Sequence, residues 1–294
     1  MTTSADRPLR GAAQSDDLRA THATTISARE HTTLAAYAHE LLRFRDLFYF
    51  LVRRDIKVRY AQTILGFGWA ILQPFSQMIV FSIFFGALAG ISSAGVPYPV
   101  FSIAAVVPWT YFANAVLAGS NSLIGSAGIV SKVYFPRLLV PLAPVGAGLV
   151  DFAIGIGLLL GVMAAYGIAP PLLALAAAPF LIAAAALAAA ALSVWLSVLG
   201  VQYRDVRYIT PFLLQLMLFI TPVIYVVSEV PEWIRPVYSL NPMVGVIGGF
   251  RSAFLGIGPM PYGSIAMSFI VSSLLLLTGL LYFRRVERVF ADIA

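Results

Sequence analysis

Asp151 is the only charged side chain within the long apolar stretches of this sequence. A carboxylate at such a position is costly and often serves an ion or substrate pathway. It also suits a plainer task, as a neutral or hydrogen-bonded group fixing one helix contact, and the sequence leaves both readings open. Hydrolysis within a membrane needs a paired acid, or a His or Cys held at depth, and the apolar stretches contain none. The chain has no cysteine, so neither a disulfide framework nor a thiolate is available. His22, His31 and His39 cluster near the start at spacings that fit no ordinary ligand set, so no metal site is expected. A phosphate loop needs Lys after Gly, whereas Lys57 and Lys132, the only lysines, follow Ile and Ser. This chain therefore binds no ATP in that way, and a motor for ATP-driven work would be another polypeptide. Glu229, Glu232 and Arg235 are the only candidates for an outward-facing transferase site, and they read as a solvated helix start.

The elements that position these residues belong to a membrane. With 294 residues, 60% hydrophobic and 11% charged, the chain has too few charges to cover a globule of its size. The net charge of +6 does not point to nucleic acid, because the basic residues flank apolar spans, where they set topology.

Residues 1–37 are rich in Thr, Ala, Ser and Arg, lack the apolar core of a signal peptide and are expected to form a disordered cytosolic tail. Residues 38–61 are expected to form an interfacial amphipathic helix. At 100° per residue, Leu41, Phe44, Phe48, Leu51, Val52 and Ile56 share one side, and Arg43, Asp46, Arg53, Arg54 and Lys57 the other. Arg45, Asp55 and Arg59 fall on or near the apolar side, from which an arginine can snorkel to the headgroups. The transmembrane domain is placed at 62–288, with spans over about 66–90, 100–118, 138–166, 172–200, 209–227 and 262–283, and residues 289–294 as a cytosolic end. The expected fold is thus all-α, with six transmembrane helices.

Between the last two spans, Pro222, Pro231, Pro236 and Pro242 cut the chain into pieces too short to cross a bilayer, yet 222–227 and 242–250 stay apolar. This predicts a re-entrant outer hairpin, since broken backbone survives at membrane depth only when buried in protein or lining a wet cavity; a plain surface loop is the alternative. Of the 19 Lys and Arg, all but Arg235 and Arg251 lie on one side of this six-span arrangement. The positive-inside rule then puts both termini in the cytosol and the hairpin outside.

Several segments resemble one family. RRDIKVRYAQTILGFGWAILQ at 53–73, VSKVYFPRLLVP at 130–141, QYRDVRY at 202–208, TPVIYVVSEVP at 221–231, then SLNPM and GFR, occur at family-like spacing. Over about residues 40–290 the chain is similar to type-2 ABC exporter permeases that move polysaccharides and their lipid-linked precursors. The resemblance implies a homodimer working with two copies of an ABC ATPase, which holds the ATP and Mg, while this chain binds no cofactor. It implies a bacterial cytoplasmic (inner) membrane location and a lipid-linked glycan cargo, O-antigen-like first, with teichoic-acid, capsule or other cell-wall glycan as the alternative. An ion-coupled carrier centred on Asp151 is the rival of another class.

By the same resemblance, Lys132, Tyr134, Phe135, Pro136 and Arg137 would couple to the ATPase. The outer hairpin, with Pro222, Pro231, Asn241, Pro242 and Arg251, would cap the channel. Aromatic rings are expected along the path; Phe75, Phe81, Trp109, Phe112 and Tyr225 are placed there by position, with lipid contact or core packing competing. Arg53, Arg54, Lys57 and Arg59 form a basic rim at the cytosolic entrance that suits a lipid pyrophosphate, although topology and anionic lipid account for the same charges.

Overall fold

The computed structural model describes residues 42–61, 63–126, 128 and 135–291. The tail, Lys132 and Tyr134 lie outside the described residues. Among the described residues every regular element is helical.

Helix α1 runs Arg45–Tyr60 and α2 Gly68–Phe81, continued by a π-helical segment Ser82–Leu88. Helix α3 is Tyr98–Gly125, α4 Leu139–Ala165, α5 Leu172–Gln202 and α6 Val206–Ile220. A short α7, Arg235–Tyr238, precedes α8, Pro242–Leu255, and α9, Tyr262–Ala291. Five of these are long and apolar enough to cross a membrane: α2 with its π-helical end, α3, α4, α5 and α9.

The central helix is α3. Phe101, Ile103, Val106 and Phe112 on it are fully buried, and it packs against α2, α4, α5, α6 and α8. By contrast α2, its π-helical end and α6 leave large apolar side chains uncovered, among them Trp69 and Phe75 on α2, Phe84 on the π-helical end, and Phe212 and Phe219 on α6. The π-helical end of α2 meets the start of α3 at Gly86, where a Cβ would lie 2.7 Å from the Tyr98 ring; only glycine permits that approach. Helix α1 packs its Leu51 with Leu139 and Ala143 of α4, and Phe48 and Val52 lie over Gly146.

The stretch expected to be a fifth span is broken earlier than its composition suggests. Helix α6 has 15 residues, about 22 Å at 1.5 Å per residue, against a hydrocarbon core of about 30 Å. It stops at Ile220 because Pro222 has no N–H to continue the ladder and because the Thr221 hydroxyl turns back to the Met217 carbonyl at 2.5 Å. Residues 221–226 then run without helix to a single 3-10 turn, Val227–Glu229.

Candidate functional site

The broken stretch is tied together at its two proline breaks. Asn241 caps α8 by accepting from the Met243 N–H at 3.0 Å, as an N-cap Asn should. Its Nδ2 donates to the Thr221 hydroxyl at 2.8 Å, so the Thr-Pro break and the Asn-Pro break hold one another. Thr221, Pro222, Val223 and Ile224 are buried, as is nearly all of α8, which packs against α3, α5 and α9.

Leaving the helix orphans the carbonyls of 222–225, and a buried carbonyl must find a donor. Arg251 supplies it. The residue is 4% exposed, and its guanidinium donates to the carbonyls of Pro222 at 2.6 Å, Val223 at 2.7 Å and Tyr225 at 2.8 Å. The remaining carbonyl, of Ile224, accepts from the Tyr98 hydroxyl at 2.8 Å. The guanidinium carbon lies 3.5 Å from the Phe101 ring centroid, a cation–π contact that adds to the compensation of a desolvated charge. Four consecutive carbonyls thus converge on one arginine and one tyrosine, and no carboxylate takes part.

Further out, the Tyr238 hydroxyl donates to the Tyr225 hydroxyl at 3.1 Å, and Tyr225 passes the bond to the carbonyls of Phe219 and Ile220 at the end of α6, each at 3.1 Å. Burial, with the Tyr225 hydroxyl second, pushes the Tyr238 phenol well above its ordinary range. It stays a neutral donor at any physiological pH. Pro231 is exposed, and Arg235 is held to the Val230 and Ser228 carbonyls at 2.9 and 3.1 Å, so the acidic pair near it frames a turn rather than a reactive centre.

The second concentration of polar groups lies where α1, α2, α3 and α4 meet. Arg59 donates to Asp151 Oδ2 in an ion pair whose side chains are 28% and 19% exposed. Asp151 is therefore not a lone charge, and Arg59 is not part of an open basic rim: each neutralises the other across 92 residues of sequence. The Tyr60 hydroxyl and Asp151 Oδ1 are buried there without a hydrogen-bond partner. Beside the pair opens a cleft of about 540 Å³ that includes Trp69, Gln73, Thr110, Asn114 and Asn121.

The other expected site residues fall in different settings. Arg53 is exposed, 5.6 Å from the Tyr49 ring; Arg54 pairs with Asp55 at 2.8 Å; Lys57 is exposed. Phe135 and Pro136 are buried and Arg137 half-buried. The five aromatic positions separate: Trp109 and Phe112 lie in the core with ring centroids 5.5 Å apart, Phe81 is buried beside Phe85, Tyr225 is half-buried in the hydroxyl relay, and Phe75 alone is exposed, at 37%. The hydrophobicity of α3, high all round, gives no sign of which side meets its neighbours, so position alone does not show that Trp109 and Phe112 are enclosed within the chain. The carbonyl-binding role of Arg251 is not legible in the sequence either; its one signal is a cation within the otherwise apolar stretch that follows the Asn-Pro break.

These features define a multi-pass helical membrane protein in which buried charge holds broken backbone and helix contacts, with no group of three or more metal-ligating side chains among the described residues. Residues 46–255 match the ABC-2 type transporter family, and the chain belongs to it. Within that family it is the membrane-spanning subunit of an exporter and not itself the ATPase. The chain is 27% identical over 248 residues to the O-antigen export system permease protein RfbA of Klebsiella pneumoniae, covering 84% of this chain and 95% of that protein. It is 30% identical over 225 residues to the protein of the same name from Myxococcus xanthus, covering 73% and 82%.

Proposed function

We propose that this chain moves a lipid-linked, O-antigen-like polysaccharide across a bacterial cytoplasmic membrane, driven by ATP that a separate ABC ATPase hydrolyses. The observation that carries this reading is the likeness, over most of both chains, to permeases from two organisms named for O-antigen export. Teichoic-acid, capsule and other cell-wall glycans remain the alternative cargo. The pairing of Asp151 with Arg59 counts against the ion-coupled carrier, which needs a carboxylate free to exchange its ion.

In this reading two copies of the chain join two copies of the ATPase. The uncovered apolar faces of α2 and α6 leave room for a second copy beside them, and lipid covers such faces equally well. Helix α6 continued by 221–226 makes a sixth crossing, and the hairpin through α7 and α8 re-enters from outside. The bias of Lys and Arg supports cytosolic termini, with α1 lying at the interface and presenting Arg53, Arg54 and Lys57 as the basic rim. The segment Lys132 to Arg137, with Phe135 and Pro136 seated in the bundle, receives the motion of the ATPase, and the Arg251 cluster keeps the outer cap in shape.

The test is the pool of lipid-linked glycan on the cytosolic leaflet after depletion of this chain, beside a strain whose partner ATPase cannot hydrolyse ATP. A finished glycan accumulating in both is the expected result, and its composition names the cargo. No accumulation in either would remove the glycan from the reading.

A further inference from the structure

Uncharged hydrogen-bonding side chains are concentrated where α2 leaves α3. Gln73 and Gln77 stand one turn apart on α2, and Thr110 and Asn114 one turn apart on α3. Asn114 Nδ2 donates to Gln73 Oε1 at 3.0 Å, and the Thr110 hydroxyl donates to Gln77 Oε1 at 3.2 Å. Each bond uses a glutamine carbonyl and leaves that glutamine's amide N–H groups for another partner, and the Asn114 carbonyl is left likewise. Gln73, Thr110 and Asn114, with Trp69 and Asn121, line the cleft of about 540 Å³ beside the Arg59–Asp151 pair, a volume within the range of about 300–1,000 Å³ of small-ligand sites.

Lipid tails cannot satisfy these groups, since a polar group moved into hydrocarbon loses its hydrogen bonds. An anion would need a free cation, and Arg59 is already committed to Asp151. An occupant rich in hydroxyls offers a donor and an acceptor at each position, and the half-exposed indole of Trp69 offers a flat apolar face for the C–H side of a sugar ring. The amides also bond one another when the cleft is empty, so a passing ring exchanges bonds instead of leaving bare polar groups behind it. That is the behaviour a sliding chain needs.

We propose that this cleft is a binding site for a neutral sugar unit, with Gln73, Asn114 and Asn121 as its hydrogen-bonding residues and Trp69 as its stacking face. The proposal rests on the glycan-export reading and assigns one contact of the glycan to a cleft within the single chain.

The test places a photo-crosslinking residue in the full transporter, in cells that make the glycan, as Gln73→p-benzoylphenylalanine or Asn114→p-benzoylphenylalanine. Phe180 on α5 and Phe212 on α6, both exposed, serve as comparison positions. Irradiated protein is stained for periodate-oxidisable sugar and analysed for phospholipid. Sugar adducts from positions 73 and 114 but not 180 are expected. Sugar adducts from 212 alone would leave export standing and overturn the cleft, as would phospholipid in place of sugar at 73 and 114. Sugar adducts from no position, with lipid captured at 180, would overturn the cleft and the export reading together. In addition, Gln73→Leu with Asn114→Leu removes the amide pair while keeping its bulk. Export is expected to slow about tenfold at unchanged complex abundance, a loss in line with one or two hydrogen bonds; an unchanged rate would overturn the proposal.

Discussion

Arg59 and Arg251 are both arginines withdrawn from water, and the molecule compensates them in opposite ways. Arg59 meets a carboxylate, Asp151, and the pair is neutral. Arg251 meets only dipoles: three carbonyls, and the face of Phe101. An ion pair can be deleted as a unit, because its two charges answer one another. A guanidinium filled by carbonyls cannot, because the carbonyls belong to a broken helix that has no other donors. One arrangement joins two elements; the other makes an irregular segment possible.

The comparison breaks first if Arg251 is dispensable. Arg251→Met orphans three buried carbonyls, each at about 1–3 kcal/mol, and should cost more than any other single change in the bundle. The expected outcome is loss of most folded protein, seen as a collapse of the monodisperse peak in detergent size exclusion. Arg251→Lys keeps the charge but replaces a planar five-donor fork with a point charge, so it should rescue part of the peak and unfold at a lower temperature than the native chain. An Arg251→Met variant as stable as the native chain would mean that the carbonyls find other partners and that the arginine organises nothing.

The ion pair makes a different prediction. Breaking a buried pair by removing one partner costs about 3–5 kcal/mol, and the partial exposure of both side chains puts this pair at the lower end. The two single changes are unequal, because a stranded carboxylate can take up a proton whereas a stranded guanidinium cannot lose one. Asp151→Asn should therefore lower the unfolding temperature more than Arg59→Met, and the double variant should recover most of the loss. Strictly additive losses in this double-mutant cycle would show that the two residues do not act as a pair.

How much of this was open to reading without a structure follows from where the physics is local. The apolar stretches stand out in the sequence because a bilayer filters composition over about twenty residues at a time. Asp151 stood out as the one charge among them, and Arg59 as a charge on the wrong side of its helix, yet nothing local joins residues 92 apart. Arg251 carried less sign still: its partners are backbone carbonyls, which every residue has and no side chain announces. The Thr-Pro break is plain, but the end of α6 at Ile220 depends on a hydroxyl turning back to Met217 and on Asn241 holding that hydroxyl from the start of α8. Trp109 and Phe112 show the same limit on the side of packing, since α3 is apolar on every face and only its neighbours decide what is enclosed.

The smallest effect concerns the fourth carbonyl. Tyr98 lies across the opening of the cluster, its ring pressed on Gly86 and tilted toward Phe101 at 5.6 Å, its hydroxyl on the Ile224 carbonyl. Tyr98→Phe keeps the ring and its packing and removes one donor, so it should cost about 1–2 kcal/mol, seen as a modest fall in unfolding temperature with the size-exclusion peak intact. Arg251 still fills the carbonyls on either side of Ile224, which is why the segment should hold its course with one bond missing. If Tyr98→Phe instead proves as damaging as Arg251→Lys, the turn is closed by the phenol and the guanidinium jointly. The irregular segment would then depend on the first turn of α3 as much as on α8, and movement of the π-helical end of α2 past Gly86 would reach residues 221–226 directly through the Tyr98 ring.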